Sequence, residues 1–99
     1  MALKEDILQF LTEHKEEFFA RFQLIKIGLF GSHSKNTATD YSDIDIIVEF
    51  QPDTKDLSGK KAELKAAITS RFKTEVDICR EKYIKPYFKD QILASAIYV

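Results

Sequence analysis

Cysteine is nearly missing from this chain: Cys79 is the only one in 99 residues, so no disulfide can form within it. That fits a reducing compartment, and the cytoplasm is the expected location. No apolar run approaches the ~18 residues that a transmembrane helix needs. The N-terminal segment carries the charges of Lys4, Glu5 and Asp6 where a signal peptide would have an apolar core, so neither secretion nor membrane association is expected. Net charge is scarce as well, with 15 basic and 16 acidic residues giving a formal value of −1. The broad basic excess of a nucleic-acid binder is absent, which argues against direct nucleic-acid binding. No repeat, low-complexity tract or linker interrupts the chain. Residues 1–99 read as one small domain.

Aromatic residues, by contrast, are plentiful, with eight Phe and four Tyr, and they allow a modest core without covalent staples. Leu3, Ile7, Leu11 and Phe18 recur at helical spacing, with His14 on the same stripe, and predict one amphipathic helix over Leu3–Phe19. Leu24 to Phe30 reads as a strand, followed by a short helical turn from Ser32 and a polar loop over 37–42. A second strand is expected over Asp43–Phe50. Leu57, Leu64, Ile68 and Phe72 mark a second long helix, whose start Ser58 and Gly59 push toward Lys60. Glu75–Cys79 reads as a third strand. Lys85–Ser95 reads as a last helix with Pro86 in its first turn. The order implies an α+β domain with a small mixed β-sheet and helices packed on one face. Lys55, Lys60, Lys61, Lys65, Arg71 and Lys73 cluster around the second long helix as a solvated face or as a docking surface for an acidic partner or RNA.

The informative segment is GSHSKNTATDYSDID, residues 31–45. A Gly-Ser turn closes one apolar strand, and Asp43-Ile44-Asp45 opens the next. Strand side chains alternate, so the two aspartates point to one face and Ile44, Ile46 and Val48 to the other. Paired carboxylates repel each other, and a divalent cation relieves that repulsion. An all-oxygen set suits Mg²⁺ completed by a substrate phosphate.

GLFGSHSKNTATDYSDIDIIVEF resembles the signature of the nucleotidyltransferase superfamily that includes DNA polymerase β: Gly-Ser, about ten residues, then Asp-x-Asp. Within it, the chain is similar to the minimal nucleotidyltransferases. The resemblance resumes at Glu75-Val76-Asp77-Ile78, where the family has its third acid, and continues more weakly through KPYFKDQILASAIYV. It implies the polymerase β-like nucleotidyltransferase fold and assigns roles to positions of this chain. Gly31 would admit a phosphate close to the backbone. The Ser32 hydroxyl and the neighbouring N–H groups would hold the β- and γ-phosphates of ATP, with Lys35 nearby. Asp43, Asp45 and Asp77 would be the catalytic acids and the ligands of two Mg²⁺ ions, Asp77 binding the second or activating the attacking hydroxyl. Glu75 is the alternative third acid. The family often has Arg then Gly where this chain has Lys35 and Asn36. Lys35 keeps the charge and loses the bidentate fork, and Asn36 can adopt the left-handed backbone that Gly would use.

These 99 residues are not expected to supply the additional domain that in larger superfamily members helps hold the base and acceptor. The resemblance implies a partner instead: minimal nucleotidyltransferases commonly pair with a HEPN-domain toxin, as antitoxins that transfer AMP from ATP to a toxin tyrosine. Two alternatives stand beside that expectation. One is an antitoxin that neutralises by contact without catalysis. The other is a free-standing transferase acting on a small molecule or an RNA end. Tyr83, Tyr87, Phe88 and Tyr98 are expected either on a partner surface or, for about half of them, in the core.

Overall fold

The computed structural model describes residues 2–39 and 41–99. Residue 40, in the polar loop expected over 37–42, lies outside the described residues. The single helix expected near the N-terminus is two: α1 over Lys4–Glu13 and α2 over Lys15–Phe22. The break is at His14, which leaves helical geometry at φ −101°, ψ 7°. His14 is half-buried, its ring 4.5 Å from that of Phe10 and 5.5 Å from that of Phe18. The change of direction lets Ile7 and Leu11 of α1 and Phe18 and Phe22 of α2 enter one core. Gln23 ends α2 in the left-handed conformation, and β1, Leu24–Phe30, starts at once.

A single turn of helix, α3, covers Gly31–Ser34, and β2 runs over Ile44–Phe50. The next helix, α4, spans Leu57–Phe72 and begins before Lys60 because Asp56 caps it: the Asp56 carboxylate accepts the Gly59 N–H at 3.2 Å. β3 follows over Val76–Arg80, then a 3-10 turn at Glu81–Tyr83 and α5 over Pro86–Ser95, with Pro86 in its first turn as expected. Ile97–Tyr98 forms β4, too short for any alternation to have marked it in the sequence. Among the described residues no helix is long and apolar enough to cross a membrane.

The sheet is mixed, in the order β3-β2-β1-β4. β1 is antiparallel to β2 and to β4, and β2 is parallel to β3. Register gives the faces their identities. Leu29, Ile46 and Ile78 form one cross-strand row on the face that α1, α2 and α4 bury. Phe30, Asp45 and Asp77 form the adjacent row on the opposite face, followed there by Gly28, Ile47 and Cys79. Ile47 is fully buried on that second face, near α5. β4 docks closely on β1, since a β-carbon at Gly28 would lie 2.7 Å from the Ile97 carbonyl oxygen.

Two polar clusters tie the strand ends together. The Tyr98 hydroxyl donates to Glu81 Oε2 at 2.8 Å, and Lys26 Nζ lies 3.2 Å from the same oxygen. This ties β4, β1 and the 3-10 turn together. At the other edge Glu49 Oε1 accepts from Arg80 Nη2 at 2.6 Å and Nε at 3.0 Å, and Glu49 Oε2 accepts the Lys82 N–H at 3.2 Å. Burial alone would raise the Glu49 carboxyl. The hydrogen bonds from Arg80, Lys82 and Phe50 outweigh it and hold the group below its ordinary value. A lowered carboxyl stabilises the fold above the ordinary glutamate range, and the gain disappears as pH falls through the lowered value. Glu49→Gln should therefore cost about 1–3 kcal/mol in urea unfolding at neutral pH. The deficit relative to wild type should shrink when the measurement is repeated in strong acid. An equal deficit at both pH values would remove the ion pair from the account.

Candidate active site

Three chain segments meet at one end of the sheet: the end of β1 with the turn after it, the start of β2 and the start of β3. Backbone pairing brings them there. Asp45 is the register partner of Phe30 on one side and of Asp77 on the other. The start of β2 is further held by the Ile44 N–H, which donates to the Glu75 carbonyl at 2.9 Å. Asp43 lies two residues before Asp45, just outside the strand. The strand expected from Asp43 begins one residue later, and Asp43 still contributes its charge to Asp45.

Gly31 is required by this arrangement twice over. Its φ is +75°, a backbone region that favours glycine. A β-carbon there would also collide with the Asp45 carboxylate oxygen and lie 3.1 Å from its Cγ. The turn after it is tightly wound: Ser34 Oγ donates to the Gly31 carbonyl at 2.8 Å, and the Thr37 N–H donates to the Ser32 carbonyl at 3.0 Å. Asn36 takes the left-handed conformation expected of it, at φ 60°. Lys35 closes α3 and is exposed.

Asp45 is half-buried, whereas Asp43 and Asp77 are exposed. Burial, then the charges of Asp77 and Asp43, push the Asp45 carboxyl above its ordinary value, and His33 partly offsets them. His33 was not singled out by the sequence reading. It is 2 % exposed, with neither ring nitrogen hydrogen-bonded. A lone histidine inside a polar run carries no sequence signal of burial. Glu75, the alternative third acid, lies before β3 and is ion-paired to Lys65 at 3.4 Å. Asp77 is the acid in register with Asp45.

Among the described residues, no three His, Cys, Asp or Glu side chains converge closely enough to form a finished metal cage. The donor chemistry nevertheless fits a hard divalent cation. The candidate ligands are carboxylates only, and burial first, then the charges of Asp77 and Asp43, raise the Asp45 carboxyl.

Of the C-terminal aromatics, none enters the core. Tyr83 and Tyr87 are 67 % and 70 % exposed, Phe88 is about half exposed, and Tyr98 is engaged with Glu81. The basic cluster of α4 is a largely solvated face: Lys60 Nζ donates to the Lys55 carbonyl, and Lys65 pairs with Glu75.

Residues 11–99 match the family described as the nucleotidyltransferase domain. The protein adenylyltransferase MntA of Thermococcus cleftensis is 32 % identical over 99 residues, an alignment covering all of this chain and 98 % of that protein. A relative from Methanocaldococcus jannaschii, proposed to be a protein adenylyltransferase, is 36 % identical over 95 residues, covering 95 % of each chain. A solved structure proposed to be a minimal nucleotidyltransferase superimposes with a TM-score of 0.70 at 29 % identity, covering 91 % of this chain and 93 % of that one. A toxin–antitoxin structure solved with AMP-PNP shares the fold, with a TM-score of 0.65 at 23 % identity over 87 % of this chain and 69 % of that one. By this match over most of its length and by its fold, the chain belongs to the nucleotidyltransferase domain family, as an enzyme of the minimal nucleotidyltransferase kind.

Proposed function

We propose that this chain transfers AMP from ATP to a tyrosine hydroxyl of a HEPN-domain toxin and so acts as the antitoxin of a two-protein module. The observation that carries the reading is the packing of Gly31 against Asp45, with Asp77 in register beside it. Backbone of the kind that cradles phosphate lies against Asp45 at one end of the sheet, and Asp43 and Asp77 near it are acids of the kind that hold Mg²⁺. The adenylyltransferase name of the Thermococcus relative supports the reaction. The toxin–antitoxin neighbour supports the partnership. A protein acceptor also accords with the small size of the domain.

In this mechanism Asp43, Asp45 and Asp77 would hold two Mg²⁺ ions, which when bound neutralise the triphosphate and stabilise the entering and leaving oxygens. Gly31 keeps the approach to Asp45 open. Ser32, the N–H groups around it and Lys35 orient the β- and γ-phosphates. Asp77, in register beside Asp45, would take the proton of the attacking hydroxyl. As the new bond to the α-phosphorus forms, the bond to the bridging oxygen breaks and pyrophosphate leaves with the electron pair.

Mass spectrometry of a HEPN-domain partner incubated with this chain, ATP and Mg²⁺ should show a gain of one or more AMP units. Asp43→Asn with Asp45→Asn should lower the rate by about three orders of magnitude or more. A stable complex that silences the toxin with no mass gain would favour neutralisation by contact. The raised Asp45 carboxyl also makes a prediction of opposite sign for stability. A carboxyl held above its ordinary value costs the fold stability once pH exceeds that raised value, so Asp45→Asn should melt at a higher temperature than wild type at neutral pH. A lower melting temperature would mark Asp45 as a structural acid instead. Gly31→Ala should cost about 1–3 kcal/mol in chemical unfolding, from its backbone angle and its clash with Asp45, and should depress transfer as well.

A further inference from the structure

Asp77 and Cys79 are two residues apart on β3, so their side chains share a face. Cys79 Sγ lies 3.8 Å from Asp77 Oδ2. Cys79 also lines a cavity of about 360 Å³ at β3, which Ile78 of the same strand and Lys61 of α4 border as well. Phe30, which immediately precedes Gly31, lines it from β1, and Phe88 and Ile92 line it from α5. The acids themselves do not line the cavity, but two of its lining residues adjoin them: Phe30 is the register partner of Asp45, and the Cys79 thiol lies against Asp77.

Apart from cations, the Tyr83 hydroxyl and the Cys79 thiol, its lining side chains are apolar. Lys61, Arg80 and Lys85 border it, and no carboxylate or carboxamide side chain does. Arg80 is committed to Glu49. Among the described residues Lys61 and Lys85 have no ion-pair partner.

We propose that this cavity seats the aromatic ring of the acceptor tyrosine presented by the partner protein, with the phenol hydroxyl directed at Asp77. The proposal rests on the adenylylation reading and adds the site that selects the acceptor. Place favours it. A ring lying over Cys79 sits beside Asp77, whose carboxylate is 3.8 Å from the thiol. Chemistry favours a phenol over the nucleobase of ATP. An adenine edge carries an amino group and ring nitrogens that lose affinity when buried without partners, and the side chains here offer no acceptor to that amino group except the Tyr83 hydroxyl. The edges of a phenol ring need none, and its one polar atom points out of the cavity toward the acids. Lys61 borders both this cavity and the surface beside Asp77, and a positive charge there favours the hydroxyl as it becomes more negative in the attack. Serine and threonine acceptors would leave the apolar cavity unfilled, which predicts selection for tyrosine.

The single thiol of the chain gives a readout that does not depend on turnover. Saturating N-acetyltyrosinamide should slow the alkylation of Cys79 by iodoacetamide several-fold in the full-length protein, and N-acetylserinamide should leave it unchanged. In transfer assays with a tyrosine-containing peptide, Ile92→Trp, which fills the cavity, and Phe88→Ala, which removes a half-exposed wall, should each raise the KM for the peptide about tenfold while ATP affinity is retained. Protection by adenosine but not by the phenol, protection by neither, or an unchanged peptide KM in both variants would each overturn the ring site. Protection by the phenol in a protein that transfers AMP to no tyrosine would uphold the ring site and overturn the adenylylation reading instead.

Discussion

Everything at the candidate site depends on the contact between the Gly31 backbone and the Asp45 carboxylate. It is a steric constraint before it is an electrostatic one. The chain leaves β1 at Phe30, turns through a positive φ at Gly31 and passes so close to Asp45 that no side chain fits between them. Closeness is possible because β1 and β2 are antiparallel neighbours, with Phe30 opposite Asp45. The parallel strand β3 then sets Asp77 on the other flank. Three hydrogen-bonded segments thus bring acids together that would repel in a free chain. Burial and the neighbouring acids both raise the Asp45 carboxyl, so the site holds its charge at a cost to the fold.

The two faces of the sheet divide the labour. One face is apolar throughout, with Leu29, Ile46 and Ile78 in a row beneath α1, α2 and α4, and this is where burial stabilises the domain. The other face carries the acids at one end, and its Cys79 lines the cavity toward α5. A small domain can maintain such a face because its edges are tied down. Glu49 with Arg80 holds β2 and β3 together, and Tyr98 with Glu81 and Lys26 anchors β4. Neither cluster touches the acids.

Much of this was legible from residues in order. The alternation Ile44, Ile46, Val48 against Asp45 identified both the second strand and its faces, because a half-buried strand must alternate. Gly-Ser followed after ten residues by Asp-x-Asp pointed to the strand end where the structure packs Gly31 against Asp45. Other features had no local signal. The break at His14 involves neither Gly nor Pro, and only the curvature of the core over α1 and α2 accounts for it. β4 is two residues long and exists because Gly28 lets it approach. The early start of α4 turns on one carboxylate, Asp56, reaching one N–H. Tyr83, Tyr87, Phe88 and Tyr98, split in expectation between core and surface, all remain outside the core.

The sequence by itself determined the α+β class, the strands that carry the acids and the family, because periodicity and motif spacing are local properties of the chain. Which acid stands beside Asp45 was a matter of register, and register depends on pairing between residues more than thirty positions apart. The structure decided for Asp77, set in the row with Asp45, over Glu75, which lies before the strand and pairs with Lys65. The burial of His33 and the cavity between β3 and α5 likewise follow from how distant segments pack, for which neighbouring residues in the chain leave no trace.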